Sequence, residues 1–195
     1  MKATEHEHNR VSDRLSQMDD SELVRIAKLQ LPYVTAAYEV LFHRYHKPLV
    51  KICYRYLRSM EEAEETVSDA MFNVFNNIAQ FEQRASFKTW VYKIAHNLAL
   101  SKLRKKQLDL VDMDEAAHVA AEQENDDTND NKKHIDKWLD TLSIEDRSII
   151  VFRVVGGLEF ADIAHIVDQK LSTVKMRYKR ALDKVEETNN KRGSD

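Results

Sequence analysis

At 195 residues, with 43% hydrophobic and 32% charged residues and a formal net charge of -3, the chain can form one domain or two small ones, each with an apolar core. Only 3 Gly and 2 Pro occur, too few for the turns of a hairpin-rich β fold, so an all-α architecture is expected. The single cysteine, Cys53, excludes an internal disulfide and suits a reducing compartment; with no signal core at the N-terminus and no bilayer-length apolar run, the expectation is a cytoplasmic protein.

Residues 1–18 read as a polar N-terminal tail. Asp19, Asp20 and Ser21 then signal a helix start, because their side-chain oxygens can cap free amides and acids suit the positive end of the dipole. Leu23, Ile26 and Ala27 follow at helical spacing. Pro32 interrupts or opens the next helix. Val40, Leu41 and Tyr45 lead to Pro48, and Leu49, Ile52, Cys53, Tyr56 and Leu57 make a further apolar stripe. Another runs over residues 61–78 through Ala63, Val67, Ala70, Met71, Val74 and Ile78.

The clearest helix is FKTWVYKIAHNLALSKLRKK, residues 87–106. Phe87, Trp90, Val91, Ile94 and Leu98 fall at i, i+3, i+4, i+7 and i+11 and make one buried face. Trp90 lies on that face and is expected to anchor the helix in its core. Lys88, Thr89, Tyr92, Lys93, His96 and Asn97 lie largely off the stripe, open to solvent or a partner. Residues 83–106 hold Arg84, Lys88, Lys93, Lys102, Arg104, Lys105 and Lys106 without one acid, an unopposed basic surface in an acidic protein.

Composition then reverses. Asp109, Asp112, Asp114, Glu115, Glu122, Glu124, Asp126, Asp127 and Asp130 stand between Leu108 and Asn131 with no Lys or Arg, so residues 107–134 read as a flexible acidic linker. Apolar periodicity resumes at Ile135 with Trp138, Leu139 and Leu142 and runs over 144–155 across Ile149, Ile150 and Phe152. Two small helical domains joined by this linker are expected.

GGLEFADIAHIVDQKLSTVKMRYKRALDKV has the layout of a helix-turn-helix. Gly156 and Gly157 release the preceding helix. Phe160, Ile163, Ala164 and Val167 build a short first helix, and 168–171 supply the turn. Ser172 or Thr173 caps a second helix buried along Val174, Tyr178, Ala181, Leu182 and Val185. Its opposite face carries Lys175, Met176, Lys179 and Arg180, with Arg177 at the flank, suited to phosphates and base edges in a major groove.

Nothing points to catalysis: G-x-S-x-G, a Gly-rich phosphate loop and H-E-x-x-H are all absent, so no catalytic residue, cofactor or small-molecule substrate is expected. His43 and His46 with Cys53, and His6 and His8 around Glu7, fall short of the three or four converging ligands a metal needs, so no metal site is expected.

Taken in order, these pieces resemble the RNA polymerase sigma factors of the extracytoplasmic-function (ECF) type, compact members of the sigma-70 family. Phe87, Thr89, Trp90, Val91, Ile94, Ala95, Asn97, Leu103 and Arg104 fit its F-x-T-W-L/V-x-x-I-A-x-N…L-R signature. Ala63, Glu64, Glu65, Val67 and Phe75 fit an upstream A-E-D-L-V-Q-E-V-F-x-x-x-W/F segment. LDTLSIEDRSIIVFRVVGGLEFADIA and STVKMRYKRA resemble the L-x-x-L-P-x-x-x-R and T-V-K-S-R-x-x-R-A patterns. Departures are Ser68 and Asp69 for Gln-Glu, Met71 for Phe, Glu159 and Lys170 at usual cap positions, and Met176 for a small Ser.

The resemblance implies a sigma region 2-like domain over 19–106 for core polymerase binding and −10 recognition and melting, and a region 4-like domain over 135–190 for −35 recognition. It implies −10 contacts from Phe81, Lys88, Thr89, Lys93, Asn97, Lys102, Arg104 and Lys105, with the loop 81–87 receiving an unpaired base. It implies −35 contacts from Lys170, Ser172, Thr173, Lys175, Met176, Arg177, Lys179 and Arg180. Glu61, Glu62, Glu64, Glu65, Asp69 and Asn73 would face the coiled coil of the polymerase's largest subunit, and the second domain the flap of the second-largest. Promoter DNA for an envelope- or stress-responsive set of genes, and an anti-sigma factor, are the further partners implied. A dimeric helix-turn-helix regulator acting without polymerase is the competing expectation.

Overall fold

The computed structural model describes residues 13–112 and 137–192. Helix α1 (Asp20–Gln30) starts where expected: the Asp19 carboxylate accepts the Glu22 amide at 2.9 Å, and Leu23, Val24 and Ala27 are buried. The expected polar tail is shorter than read, because residues 13–16 form a helical turn whose Leu15 enters the core. The Arg44 guanidinium donates to the carbonyls of Ser16 and Met18 and pairs with Asp20, fastening this turn to the next helix.

Helix α2 (Ala36–Leu57) is continuous through Pro48. Pro48 removes one i→i−4 bond, a cost of about 3 kcal/mol in an open helix. Leu41, Tyr45, Leu49, Ile52, Cys53 and Tyr56 are buried on both sides of it, so the two stripes read from the sequence belong to one element. Arg58, at φ 58°, ends α2 in the left-handed region, and Ser59 at once caps α3 (Met60–Asn77), its hydroxyl accepting the Glu62 amide. A 3-10 turn (Ile78–Gln80) and a loop lead into α4 (Phe87–Asp112), which continues six residues into the segment read as linker.

Helix α5 (Ile144–Val154) is capped by Ser143, and Gly157, at φ 60°, turns the chain out of it. Helix α6 (Phe160–Ile166), a turn at 167–170 with Asp168 at φ 52°, and α7 (Leu171–Arg192) form the helix-turn-helix. The Val174 amide bonds the Lys170 carbonyl, so α7 begins before Ser172 and Thr173, which stand in its first turn instead of capping it. The acidic residues 114–130, Ile135, and His6 and His8 lie outside the described residues.

The described residues contain no strand, and no helix among them is long and apolar enough to cross a membrane. The fold is all-α, and its two helical domains pack against each other. The Phe152 ring of α5 lies 5.2 Å from the His96 ring of α4 and 6.3 Å from Tyr56 of α2 and Tyr92 of α4. Arg58 donates to Asp140 at 2.8 Å, and Arg147 pairs with the same carboxylate at 3.2 Å.

Candidate nucleic-acid interface

Helix α4 is the centre of the basic surface. The Ser86 hydroxyl accepts the Thr89 amide at 3.1 Å and shares a 2.7 Å hydrogen bond with the Thr89 hydroxyl, closing the helix N-terminus. Phe87, Val91, Ala95 and Ala99 are buried along the arc facing α2 and α3. Trp90 is half-buried, stacked on the buried Phe81 ring at 4.8 Å, and so acts as an anchor for the loop before α4. Phe81 itself points inward, leaving Glu82, Gln83 and Arg84 at the loop surface.

A second arc of α4 is buried as well. Thr89, Tyr92 and His96, expected to be open to solvent or a partner, are 0%, 2% and 5% exposed, because the second domain covers them. Lys88 Nζ donates to the Gly156 carbonyl at 3.1 Å and Thr89 Oγ1 to Asp162 Oδ1 at 2.8 Å. Lys93 Nζ donates to the His165 carbonyl at 3.1 Å and Asp168 Oδ1 at 2.6 Å. Burial drives the His96 pKa down to about 4, Asp168 opposing and Arg104 and Lys93 reinforcing, so its imidazole is neutral between the domains.

The remaining candidates on α4 divide. Asn97, Arg104 and Lys105 are exposed, whereas Lys102 pairs with Glu65 and Lys106 with Glu62 at 2.7 Å. Two acids of α3 are thereby engaged within the chain, and Glu64 lies 3.2 Å from His46 Nε2. His46 also stacks on Phe42 at 4.9 Å and Cys53 is buried, and the described residues hold no grouping of three metal-ligating side chains. Glu61, Asp69 and Asn73 share the exposed face of α3 with Phe72, which is 65% exposed and borders an apolar groove lined by Tyr38, Phe42, Met71 and Phe75. Phe72 was absent from the residues read from sequence. Its signal was there: a large aromatic off the helix's apolar stripe.

On α7, Val174 and Ala181 are buried, and Ser172, Lys175, Met176, Lys179 and Arg180 are exposed on the outward side. Lys170 precedes them on the turn, also exposed, and Thr173 is half-buried. Arg177 is held within the domain: its Nε donates to Asp146 at 2.7 Å, and Glu145 lies 3.6 Å away. It therefore ties α7 to the start of α5. Gathered together, these helices present two basic surfaces, one outward on α7 and one on α4 partly covered by α6.

The family model for Sigma-70 region 2 matches residues 41–108, and that for Sigma-70 region 4 matches residues 134–185. The chain belongs to the sigma-70 family, in its ECF branch. It is 28% identical over 160 residues to the ECF RNA polymerase sigma factor SigW of Bacillus subtilis, covering 71% of this chain and 81% of that one. It is 27% identical over 149 residues to ECF sigma factor SigM of Mycobacterium tuberculosis, covering 74% and 73%. In fold, this sigma factor is similar to CnrH in its complex with the cytosolic domain of CnrY, with TM-score 0.66 at 17% identity over 88% of this chain and 97% of that one. It is likewise similar to RpoE bound to the anti-sigma factor NepR from Bartonella quintana, with TM-score 0.64 at 23% identity over 79% and 96%.

Proposed function

We propose that this sigma factor binds core RNA polymerase, directs it to promoters and helps open the DNA there. The observation that carries this reading is the pair of sigma-70 region matches, in order, on two domains that each bear a basic helix. No covalent chemistry is asked of the chain.

Region 2 melts DNA at the −10 element. Unpaired bases must be held outside the duplex at a cost of a few kcal/mol, and a basic helix tracking phosphates beside an exposed loop offsets that cost. Lys88, Thr89, Lys93, Asn97, Lys102, Arg104 and Lys105 supply this surface; Phe81 braces the loop from inside. Region 4 places α7 at the −35 element, with Lys175, Met176, Lys179 and Arg180 toward base edges and Lys170, Ser172 and Thr173 nearer phosphate. The intramolecular pairing of Arg177 makes it a support for that helix first and a phosphate contact second.

The exposed face of α3, with Glu61, Asp69, Phe72 and Asn73, suits the polymerase coiled coil: an apolar anchor ringed by acids and amides. Glu62, Glu64 and Glu65 border it from within their own pairs. The polymerase flap would meet region 4. An anti-sigma protein is a further partner, by analogy with the complex of RpoE and NepR.

The test is reconstitution. The full chain added to core polymerase should form a stable complex and support run-off transcription from a cognate promoter. A symmetric dimer that binds a palindromic duplex tightly and ignores polymerase would instead identify a conventional regulator.

A further inference from the structure

The loop before α4 is fixed at both ends, and at one of them by a side chain far away in sequence. Lys28, half-buried in the last turn of α1, donates from Nζ to the Phe81 carbonyl at 2.5 Å, a reach of 53 positions of chain. The same ammonium stands 5.8 Å from the centroid of the Phe81 ring. The Phe81 amide donates to the Ile78 carbonyl at 3.2 Å, so both backbone polar groups of Phe81 are engaged. Its ring stacks on Trp90 at 4.8 Å and meets Phe87 edge-on at 5.8 Å. At the other end the Ser86 hydroxyl accepts the Thr89 amide, and the Ser86 carbonyl accepts the Trp90 amide at 3.0 Å.

A peptide unit is planar, so a carbonyl held in one direction also fixes the plane it shares with the next amide. Lys28 therefore sets the direction in which Glu82 leaves the 3-10 turn. Between the two fixed ends the exposed residues Glu82, Gln83 and Arg84 have little of their own to hold them. Gln83 is at φ 57°, a left-handed backbone that costs a residue with a Cβ, and the Arg84 guanidinium meets the Glu82 carboxylate across it at 2.6 Å. Such a conformation persists only where its surroundings determine it, and here those surroundings are the ends of the loop.

The geometry points to Lys28 as the positioning residue of this loop: by holding the Phe81 carbonyl it gives residues 82–85 one shape, and that shape selects the unpaired base at the −10 element. The inference rests on the assignment of the loop 81–87 as receiver of that base. Lys28 touches no DNA in this role, because its ammonium faces a carbonyl of the protein. A loop shaped in advance needs no ordering when the base arrives, and a wrong base meets the same fixed outline. Without the hold, selectivity falls first. Affinity for the strand itself comes from phosphate contacts along α4, which Lys28 does not share.

Lys28→Met keeps the apolar stem and removes the charge and the donor, whereas Lys28→Arg keeps both. Holoenzyme assembled from core polymerase and each full-length factor is titrated with single-stranded oligonucleotides spanning the −10 element of a promoter that the wild type transcribes. One oligonucleotide is intact and each of the others is abasic at one position; binding is read by fluorescence anisotropy. At the position whose base enters the loop, the wild type should bind the abasic strand about tenfold more weakly than the intact one. For K28M that difference should shrink to less than about threefold, with affinity for the abasic strand within about twofold of wild type, and K28R should restore most of it. A difference of about tenfold kept by K28M overturns the positioning role and leaves the loop as base receiver. An equal fall for K28M on intact and abasic strands also overturns it, since a lost strand contact or a loosened fold acts on both. A wild type that yields run-off product yet shows no abasic-sensitive position would remove the loop as base receiver, and the role of Lys28 with it.

Discussion

Thr89 Oγ1 lies 2.7 Å from Ser86 Oγ and 2.8 Å from Asp162 Oδ1, so one buried hydroxyl both completes the cap of α4 and ties the first domain to the second. Thr89→Val keeps the volume and removes both bonds, leaving the Asp162 carboxylate without that donor. The expected cost is about 1–2 kcal/mol of stability, read as a lower urea midpoint. An unchanged midpoint would show that the contact contributes nothing to the folded chain.

Phe72 is the converse case, a large side chain the fold does not need. At 65% exposure, Phe72→Ala should change stability by about 0.5 kcal/mol or less. If the α3 face binds the polymerase coiled coil, the same substitution should weaken core polymerase binding by roughly tenfold or more, measured by titration of labelled factor. Equal affinity for wild type and variant would move that interface elsewhere.

His96 makes stability depend on pH. Its pKa is lowered from 6.5 to about 4 by burial, so between those values the unfolded chain takes up a proton that the folded chain refuses. Stability from this residue is therefore intact above about pH 6.5 and falls with acidification toward about pH 4. At about pH 5 the loss is about 2 kcal/mol. Urea midpoints for wild type and His96→Phe across this window should diverge, the variant showing the flatter profile; parallel curves would contradict the assignment.

Arg177 and Lys179 sit two residues apart on α7 and should behave oppositely. Arg177→Ala breaks the bond to Asp146 and should cost about 1–2 kcal/mol in stability. Lys179→Ala should leave stability alone and lower the salt slope of promoter binding by about one unit in the holoenzyme. A salt slope that changes for Arg177 and not for Lys179 would reverse the two roles.

Much of the fold was legible because helical periodicity and capping are local. The start at Asp19, the packed side of α4 through Phe87 and Val91, and the helix-turn-helix all follow from residues within a few turns of one another. Trp90, Ile94 and Leu98 of the expected stripe are only half-buried, and Ala95 and Ala99 complete the buried arc. Pro48 misled because a proline reads as a break unless the burial of Leu41, Tyr45, Leu49 and Ile52 around one core is known. Leu15 was missed because Val11, Leu15 and Met18, although spaced i, i+4 and i+7, stand in an otherwise polar segment that was read as a tail.

The candidate site was legible by residue type and only partly by availability. Charge and spacing on α4 and α7 marked the basic surfaces, and the resemblance those residues carry placed the chain among sigma factors. Which charges face solvent depends on partners distant in sequence: Glu65 for Lys102, Asp146 for Arg177, Asp168 for Lys93. By itself, then, the sequence determined an all-α chain with two basic helices and a sigma-70 layout, since these rest on local pattern. The tertiary structure alone decided that α4 is buried on two arcs and that its strand-facing donors are held by the other domain. Contacts across 68 to 75 positions of chain leave no local signature, because each partner, read in its own helix, is an ordinary surface residue.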